Sequence, residues 1–203
     1  MRQPAEHWNR VYQTKDTEQL SWFQADPTPS LRAISLCGPR SLSVIDIGGG
    51  ASRLAGALVD QRRQDITVLD ISQRALTLAR VRLGADGQRV AWIARDITMW
   101  QPHRLWDIWH DRAVFHFLTE ACDRQAYIQA LSAAVPRGGH VILACFAPDG
   151  PKTCSGLPVQ RYAPKDLQAE LGQGFDLLHS WSEPHVTPAG DMQAFTWSVF
   201  DRV

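Results

Sequence analysis

Val44-Ile45-Asp46-Ile47-Gly48-Gly49-Gly50 is the stretch that decides the fold of this chain. Residues 43–47 read as a short strand, and the three glycines turn the chain sharply out of it. A helix is expected next, over residues 51–63, with Leu54, Leu58 and Val59 on its inner side. A glycine turn between strand and helix lets main chain approach a ligand with no Cβ in the way. Its amides and the helix N-terminus favour an anionic group, such as a pyrophosphate or a carboxylate. Taken alone, the triplet also fits a tight turn that merely needs positive φ.

Working outward, the same alternation continues. A second strand is expected at Ile66–Asp70. Ser72 then caps a helix with the apolar stripe Ala75, Leu76, Ala79 and Leu83, and Gly84 ends it. A third strand covers Val90–Ala94, followed by Asp96, and a fourth covers residues 105–109. Thr119 or Asp123 caps the next helix, which buries Tyr127, Ile128 and Leu131. Pro136-Arg137-Gly138-Gly139 breaks it before a fifth strand at His140–Phe146. Proline opens a short helix at Pro164–Leu171. Strands at 175–181 and 193–200 follow with no helix between them, so they pair as an antiparallel hairpin around Pro184, Pro188 and Gly190. Upstream, helices are expected over 6–12, with Trp8, Val11 and Tyr12 on one side, and over 30–36. Trp22-Phe23 lies between them. The pattern predicts an α/β fold, doubly wound, with a mostly parallel seven-stranded sheet ending in an antiparallel hairpin. One domain is expected over 1–203, with residues 1–40 as an N-terminal helical cap.

Composition narrows the function. The chain has 203 residues, enough for one substantial core, and a formal net charge of zero. Basic residues are scattered, so no nucleic-acid partner is expected. The N-terminal MRQPAEHWNRVYQTKD is polar and lacks the apolar region of a secretory signal. No apolar run approaches the roughly 18 residues of a membrane span. A cytoplasmic protein with no membrane association is the expectation. Cys37, Cys122, Cys145 and Cys154 form no CxxC pair, so free thiols are expected and no metal site.

In an open parallel sheet, ligands bind beyond the carboxyl ends of the strands. The polar residues at those ends are Asp46 with Gly48 to Gly50, then Asp70, Asp96 and His110-Asp111-Arg112. Asp70, placed where the second strand ends, suits both hydroxyls of a ribose. Nicotinamide and S-adenosylmethionine (SAM) sites share this layout. The dinucleotide fingerprint G-x-G-x-x-G is met at Gly48 and Gly50 but has Arg53 in its third position. Asp46 would repel a pyrophosphate and suits a ligand with a positive amino group. Asp96 stands where an adenine amino group would lie. All three points favour SAM.

With these residues in place, the chain resembles the class I SAM-dependent methyltransferases. The resemblance rests on residues 44–50, on Val68-Leu69-Asp70-Ile71-Ser72 and on Ala94-Arg95-Asp96-Ile97, together with the Pro136 to Gly139 turn and the C-terminal hairpin. It implies that Asp46, Gly48, Gly49 and Gly50 hold the methionine part of SAM. Asp70, with Ile71 beside it, would hold the ribose, and Asp96 with Ile97 the adenine. Trp22 and His110 join them as cofactor-binding residues. The stretch from Asp107 to Leu118 is similar to two subgroups. The thiopurine and thiol S-methyltransferases carry a Trp-Asp-Arg element there, and small protein-lysine methyltransferases carry Asp-Lys-Gly. Trp8 and Trp22-Phe23 look like the aromatic cap of both.

The resemblance implies methyl transfer to a small-molecule acceptor, with a thiol favoured. A protein-lysine enzyme and a non-catalytic SAM- or nucleotide-binding module are the alternatives. His116, Asp111 and Arg112 are the candidate catalytic residues, with His116 handling a proton. Asp111 and Arg112 also fit an internal salt bridge that ties the loop down. The Gly- and Pro-rich run 147–158 is expected to form a functional loop. Its Cys154 would be an exposed thiol, and alone it is a poor chelator of a soft acceptor.

Overall fold

The computed structural model describes residues 5–203. Met1 to Pro4, the start of the polar leader, lie outside the described residues. Strands β1 (Val44–Ile47), β2 (Ile66–Asp70), β3 (Val90–Ala94), β4 (Ile108–Arg112) and β5 (His140–Phe146) run parallel. Two residues each of β6 (Thr153–Cys154) and β7 (Leu157–Pro158) make a separate small hairpin. The long strands β8 (Phe175–Val186) and β9 (Met192–Arg202) complete the sheet antiparallel, in the order β3-β2-β1-β4-β5-β9-β8. This is the expected doubly wound sheet with its terminal hairpin.

The order matters for function. The chain steps outward from β1 to β3, then returns to the other side of β1 for β4. The strand order therefore reverses between β1 and β4, and a crevice opens at their carboxyl ends. Asp46 and His110 are register partners across that boundary.

Helices cover both faces. On one side α2 (Thr28–Leu36), α3 (Leu54–Asp60) and α4 (Gln73–Leu83) pack on Val44, Ile66, Ile142 and Trp197. On the other side α5 (Ala121–Ala134) and α6 (Pro164–Leu171) bury Tyr127, Leu131 and Leu167 against Trp106, Trp109 and Phe175. The buried rings dominate this core, each contributing about 1.5–3 kcal/mol of transfer free energy. The first helix, α1 (Ala5–Thr14), lies over α4, where Ser72 Oγ donates to Asn9 Oδ1 at 2.8 Å. Tyr12 and Leu20 form a small cluster there with Ala51 and Ala75. The described part of the expected cap, from Ala5 onward, is thus tied to the strand ends by packing.

Several elements differ from expectation. Strand β4 begins three residues later than the sequence suggests. Leu105 is exposed, and Asp107 accepts from Ser43 N at 2.8 Å and Ser43 Oγ at 2.7 Å, which holds residues 105–107 as a closed connection. His110 and Asp111 therefore lie inside the strand, buried, rather than after it. Helix α3 is shorter than 51–63. The turn continues through Ser52, whose amide donates to Gly49 O, and the helix stops before Arg62, which adopts φ 63. Helix α5 starts after Glu120, not at Thr119 or Asp123, and has no side-chain cap bond. Pro184 falls within β8 rather than in a loop. The strand lies at the sheet edge, where a missing N–H is tolerated. Cys154 is buried, beneath a two-residue turn whose Ser155 and Gly156 both have positive φ. Ser72 and Gly84 cap α4 as expected, the Ser72 hydroxyl accepting from Ala75 N.

Candidate functional site

The glycine turn shows why its residues are glycines. Gly48 has φ 66, and a Cβ there would stand 2.0 Å from Val114 Cγ2. A Cβ on Gly49 would meet Asp46 Oδ2 at 2.3 Å, and one on Gly50, with φ 41, would meet Asp70 Oδ2 at 2.7 Å. The turn is thus pressed between the two carboxylates the sequence singles out, and main chain forms the cradle.

Each carboxylate has a distinct setting. Asp46 is buried, its Oδ1 2.7 Å from His110 Nδ1. Asp70 accepts from Ser72 N at 2.7 Å. Burial outweighs that bond, and with a smaller push from Asp46 it raises the Asp70 carboxyl to about 7. Asp96 Oδ1 accepts from Thr98 N at 2.9 Å and Thr98 Oγ1 at 2.7 Å.

Around them lies a cleft of about 940 Å³ that is partly open to solvent. Gly48, Asp70, Ile71, Asp96, Ile97, Arg112 and Trp22 line it, so most of the expected cofactor residues converge. Leu69 and Ile47 supply apolar floor, and Trp8, Tyr12 and Phe117 close it from the cap side. Trp8 meets Trp22 and Phe117 edge to face, with ring centroids 5.6 Å and 5.2 Å apart. A second chamber, of about 590 Å³, lies beside the glycine turn and is lined by Asp46, Gly48, Gly49 and His110. Tyr12, Trp22, Gly48 and Arg112 form walls of both. Gly50 lines neither; it brings main chain against Asp70.

The candidate catalytic residues separate. Arg112 stands at the junction of the two cavities. Its Nη1 donates to Trp22 O at 2.9 Å, and its guanidinium carbon lies 4.9 Å from the centre of the Phe195 ring. Burial lowers its pKa to about 10, still charged at neutral pH. Asp111 points to the opposite face of β4. Its carboxylate accepts from Val114 N at 2.8 Å, Phe115 N at 3.0 Å and Tyr127 Oη at 2.6 Å. It ties the loop down as one expectation had it, but through these amides and the tyrosine rather than through a salt bridge to Arg112. Ala113, at φ 74, makes the kink that lets the two amides reach back. Burial raises the Asp111 carboxyl to about 6, despite these bonds.

His116 does not fit the proton-handling expectation. It is fully buried, is not among the residues lining either cavity, and its Nδ1 accepts from Phe146 N at 3.3 Å. Burial, reinforced by Arg112, lowers its pKa to about 3, so it stays neutral. Cys154 does line the larger cavity, and burial keeps it a thiol by raising it to about 11. In the sequence Tyr12 reads only as part of a helical stripe, and Phe117 carries no reading of its own; their place in the cavity wall depends on how α1 folds over the strand ends.

The comparisons agree with this geometry. Residues 44–139 match the family model described as a methyltransferase domain. A SAM-dependent methyltransferase from Anabaena variabilis ATCC 29413 superposes with a TM-score of 0.77 at 14% identity, over 100% of this chain and 98% of that one. A structure described under the conversion of a disulfide bond into a thioacetal group during echinomycin biosynthesis also gives 0.77, at 18% identity over 98% and 92%. The glycopeptide N-methyltransferase MtfA, complexed with SAM, gives 0.68 at 17% identity over 89% and 96%. No curated protein matches by sequence. Over residues 44–139 the chain is thus similar to methyltransferase domains, and it shares the fold of solved SAM-dependent methyltransferases. The cradle of three glycines, the carboxylates at the ends of β1 and β2 and the buried Nε2 of His110 are consistent with such a cofactor.

Proposed function

We propose that this chain is a SAM-dependent methyltransferase that acts on a small-molecule acceptor, with a thiol as the favoured type. SAM supplies a sulfonium methyl group: the new bond forms to the acceptor's lone pair as the S–CH3 bond breaks, and its electron pair returns to sulfur. The protein's share is to hold both partners in line and exclude water. In this assignment Asp70 accepts the ribose hydroxyls, Asp96 and Ile97 border the adenine, and Asp46 with the glycine turn borders the methionine end.

The observation that carries the proposal is the aromatic closure over the larger cavity. Trp8, Trp22 and Phe117 give the acceptor end a compact apolar lining. Of the carboxylates in that lining, Asp70 and Asp96 belong to the nucleoside side, which leaves Asp123 where a lysine enzyme calls for an acidic rim. The placement of His116 and Asp111 adds a second reason. With both turned away from the cavities, an acceptor that ionises readily near neutral pH, as a thiol does, suits the site better than an ammonium needing a base.

The test is formation of S-adenosylhomocysteine from SAM across a panel of small thiols, small amines and lysine peptides, followed by mass spectrometry. Turnover with one or more thiols and none with the peptides is the expected result. Turnover confined to lysine peptides overturns the proposal. Tight SAM binding with no turnover anywhere in the panel favours the non-catalytic module.

A further inference from the structure

We infer that His185 is a positioning residue: with Arg112 it clamps two successive carbonyls of the cap and so fixes the Trp22 ring, a wall of both cavities. His185 is not among the residues lining either cavity, and it lies 164 residues after the carbonyl it meets. Its role is therefore exerted through the cap and not on a ligand.

Leu20 to Phe23 form a tight turn, closed by Phe23 N donating to Leu20 O at 2.9 Å. Trp22 is the third residue of this turn, and it is half-buried. A peptide unit is planar, so the direction of a side chain follows from the two peptide planes that flank its residue. Both planes around Trp22 are held. In the plane before it, Ser21 O lies 2.7 Å from His185 Nε2. In the plane after it, Trp22 O accepts from Arg112 Nη1 at 2.9 Å, and the Phe23 amide is the one that closes the turn. A carbonyl only accepts, so Nε2 of His185 carries a proton. Held in this way, the Trp22 ring stands edge to face with Trp8 and Tyr12, at centroid distances of 5.6 Å and 6.3 Å.

The two donors share one platform. Phe195 is buried in β9, with the Arg112 guanidinium carbon 4.9 Å from its ring centre and the His185 ring edge-on at 6.1 Å. His185 is itself buried, near the end of β8. The terminal hairpin and β4 thus reach the same turn from the sheet. A short turn carrying a half-buried ring samples several orientations on its own. Fastened to the sheet at both carbonyls, it holds the ring in place before a ligand arrives, so binding does not bear the cost of ordering it.

The experiment has two readouts on the full chain. The first is fluorine NMR of protein labelled with 5-fluorotryptophan, the Trp22 resonance among the eight tryptophans being assigned by its loss in Trp22→Ala. His185→Phe keeps a ring on Phe195 but cannot donate to Ser21 O. It should shift or broaden the Trp22 resonance and leave Trp106 and Trp109, packed on the other face of the sheet, unchanged. His185→Gln retains an N–H donor and should restore the wild-type resonance. The second readout is calorimetric binding of S-adenosylhomocysteine, which rests on the SAM reading above. His185→Phe should weaken it about threefold to tenfold, the worth of one hydrogen bond, and His185→Gln should bind as wild type does. In a Trp22→Ala background the same change should cost less than about twofold, because the clamp then has no ring to place.

An unmoved Trp22 resonance in His185→Phe overturns the inference. So does movement of Trp106 and Trp109 along with it, which marks a general loosening of the fold. Equal loss of affinity with and without the Trp22 ring, or failure of glutamine to restore either readout, overturns it as well. A wild type that binds no S-adenosylhomocysteine defeats the SAM reading instead, and the resonances then decide the clamp by themselves.

Discussion

Replacing Asp111 by alanine separates a structural carboxylate from a catalytic one. Asp111 is fully buried and accepts from Val114 N, Phe115 N and Tyr127 Oη. Alanine leaves all three donors without their acceptor. A buried orphaned donor costs about 1–3 kcal/mol. The low end applies, because burial already opposes the ionised carboxyl, raising it to about 6, and its removal returns part of that cost. Three donors at about 1 kcal/mol each give a loss of about 3 kcal/mol. In a chain of this size each kcal/mol moves the melting temperature by about 2–4 °C, so a drop of about 6–12 °C is expected. Asp111→Asn keeps one acceptor oxygen and turns an amide N–H2 toward the donors, so it should fall between. Differential scanning calorimetry at pH 7.5 reads the shift. Binding of 5′-methylthioadenosine, measured well below both transitions, reports whether the cavity survives. If the alanine variant melts within about 2 °C of wild type and loses only turnover, the structural assignment of Asp111 is refuted.

Three further outcomes follow from the same geometry. Gly48→Ala forces a side chain into a φ 66 position with a Cβ 2.0 Å from Val114, so S-adenosylhomocysteine affinity should fall at least tenfold in a calorimetric titration, as an order of magnitude for backbone strain of about 1–3 kcal/mol. Asp70, with its carboxyl raised to about 7, binds a proton in the folded chain at pH values where the unfolded chain has lost it. Its contribution to stability is therefore complete below about pH 4 and lost as pH rises through 7, whereas an ionised acceptor for ribose hydroxyls gains strength over the upper part of that range. S-Adenosylhomocysteine affinity should rise from pH 6 to 8 in wild type, and Asp70→Asn should abolish the rise. His116 is held neutral with its pKa near 3, so His116→Gln should leave the shape of the pH–rate profile above pH 5 unchanged; loss of an acid limb in that variant would restore His116 as a proton acceptor.

The parallel strands were legible in the sequence wherever apolar runs ended in glycine or aspartate. β2, β3, β5 and α6 have the bounds their patterns suggest, since β-branched runs and a leading proline are local signals. β4 was displaced because His110 and Asp111 read as chain leaving the sheet. In the fold both are buried, with His110 Nδ1 against Asp46, 64 residues away, and the Asp111 carboxylate against Tyr127, 16 residues away. The same long-range pairing explains the site. Asp70, Asp96 and the glycines converge because strand ends converge, which the motif spacing encodes. The opposite facing of His110 and Asp111 follows only once both lie inside β4, where successive side chains alternate between the two faces of the sheet. Tyr12 and Phe117 became walls only through packing of α1 across the sheet.

The measurement that tests the central claim most directly is calorimetric binding of SAM to wild type and Asp70→Ala, with NAD as the control ligand. Micromolar SAM affinity in the wild type, at least tenfold weaker in the variant, with no measurable NAD binding, is the expected result. NAD bound more tightly than SAM, or no SAM binding, would contradict the account and return the glycine turn to a dinucleotide or a purely structural role.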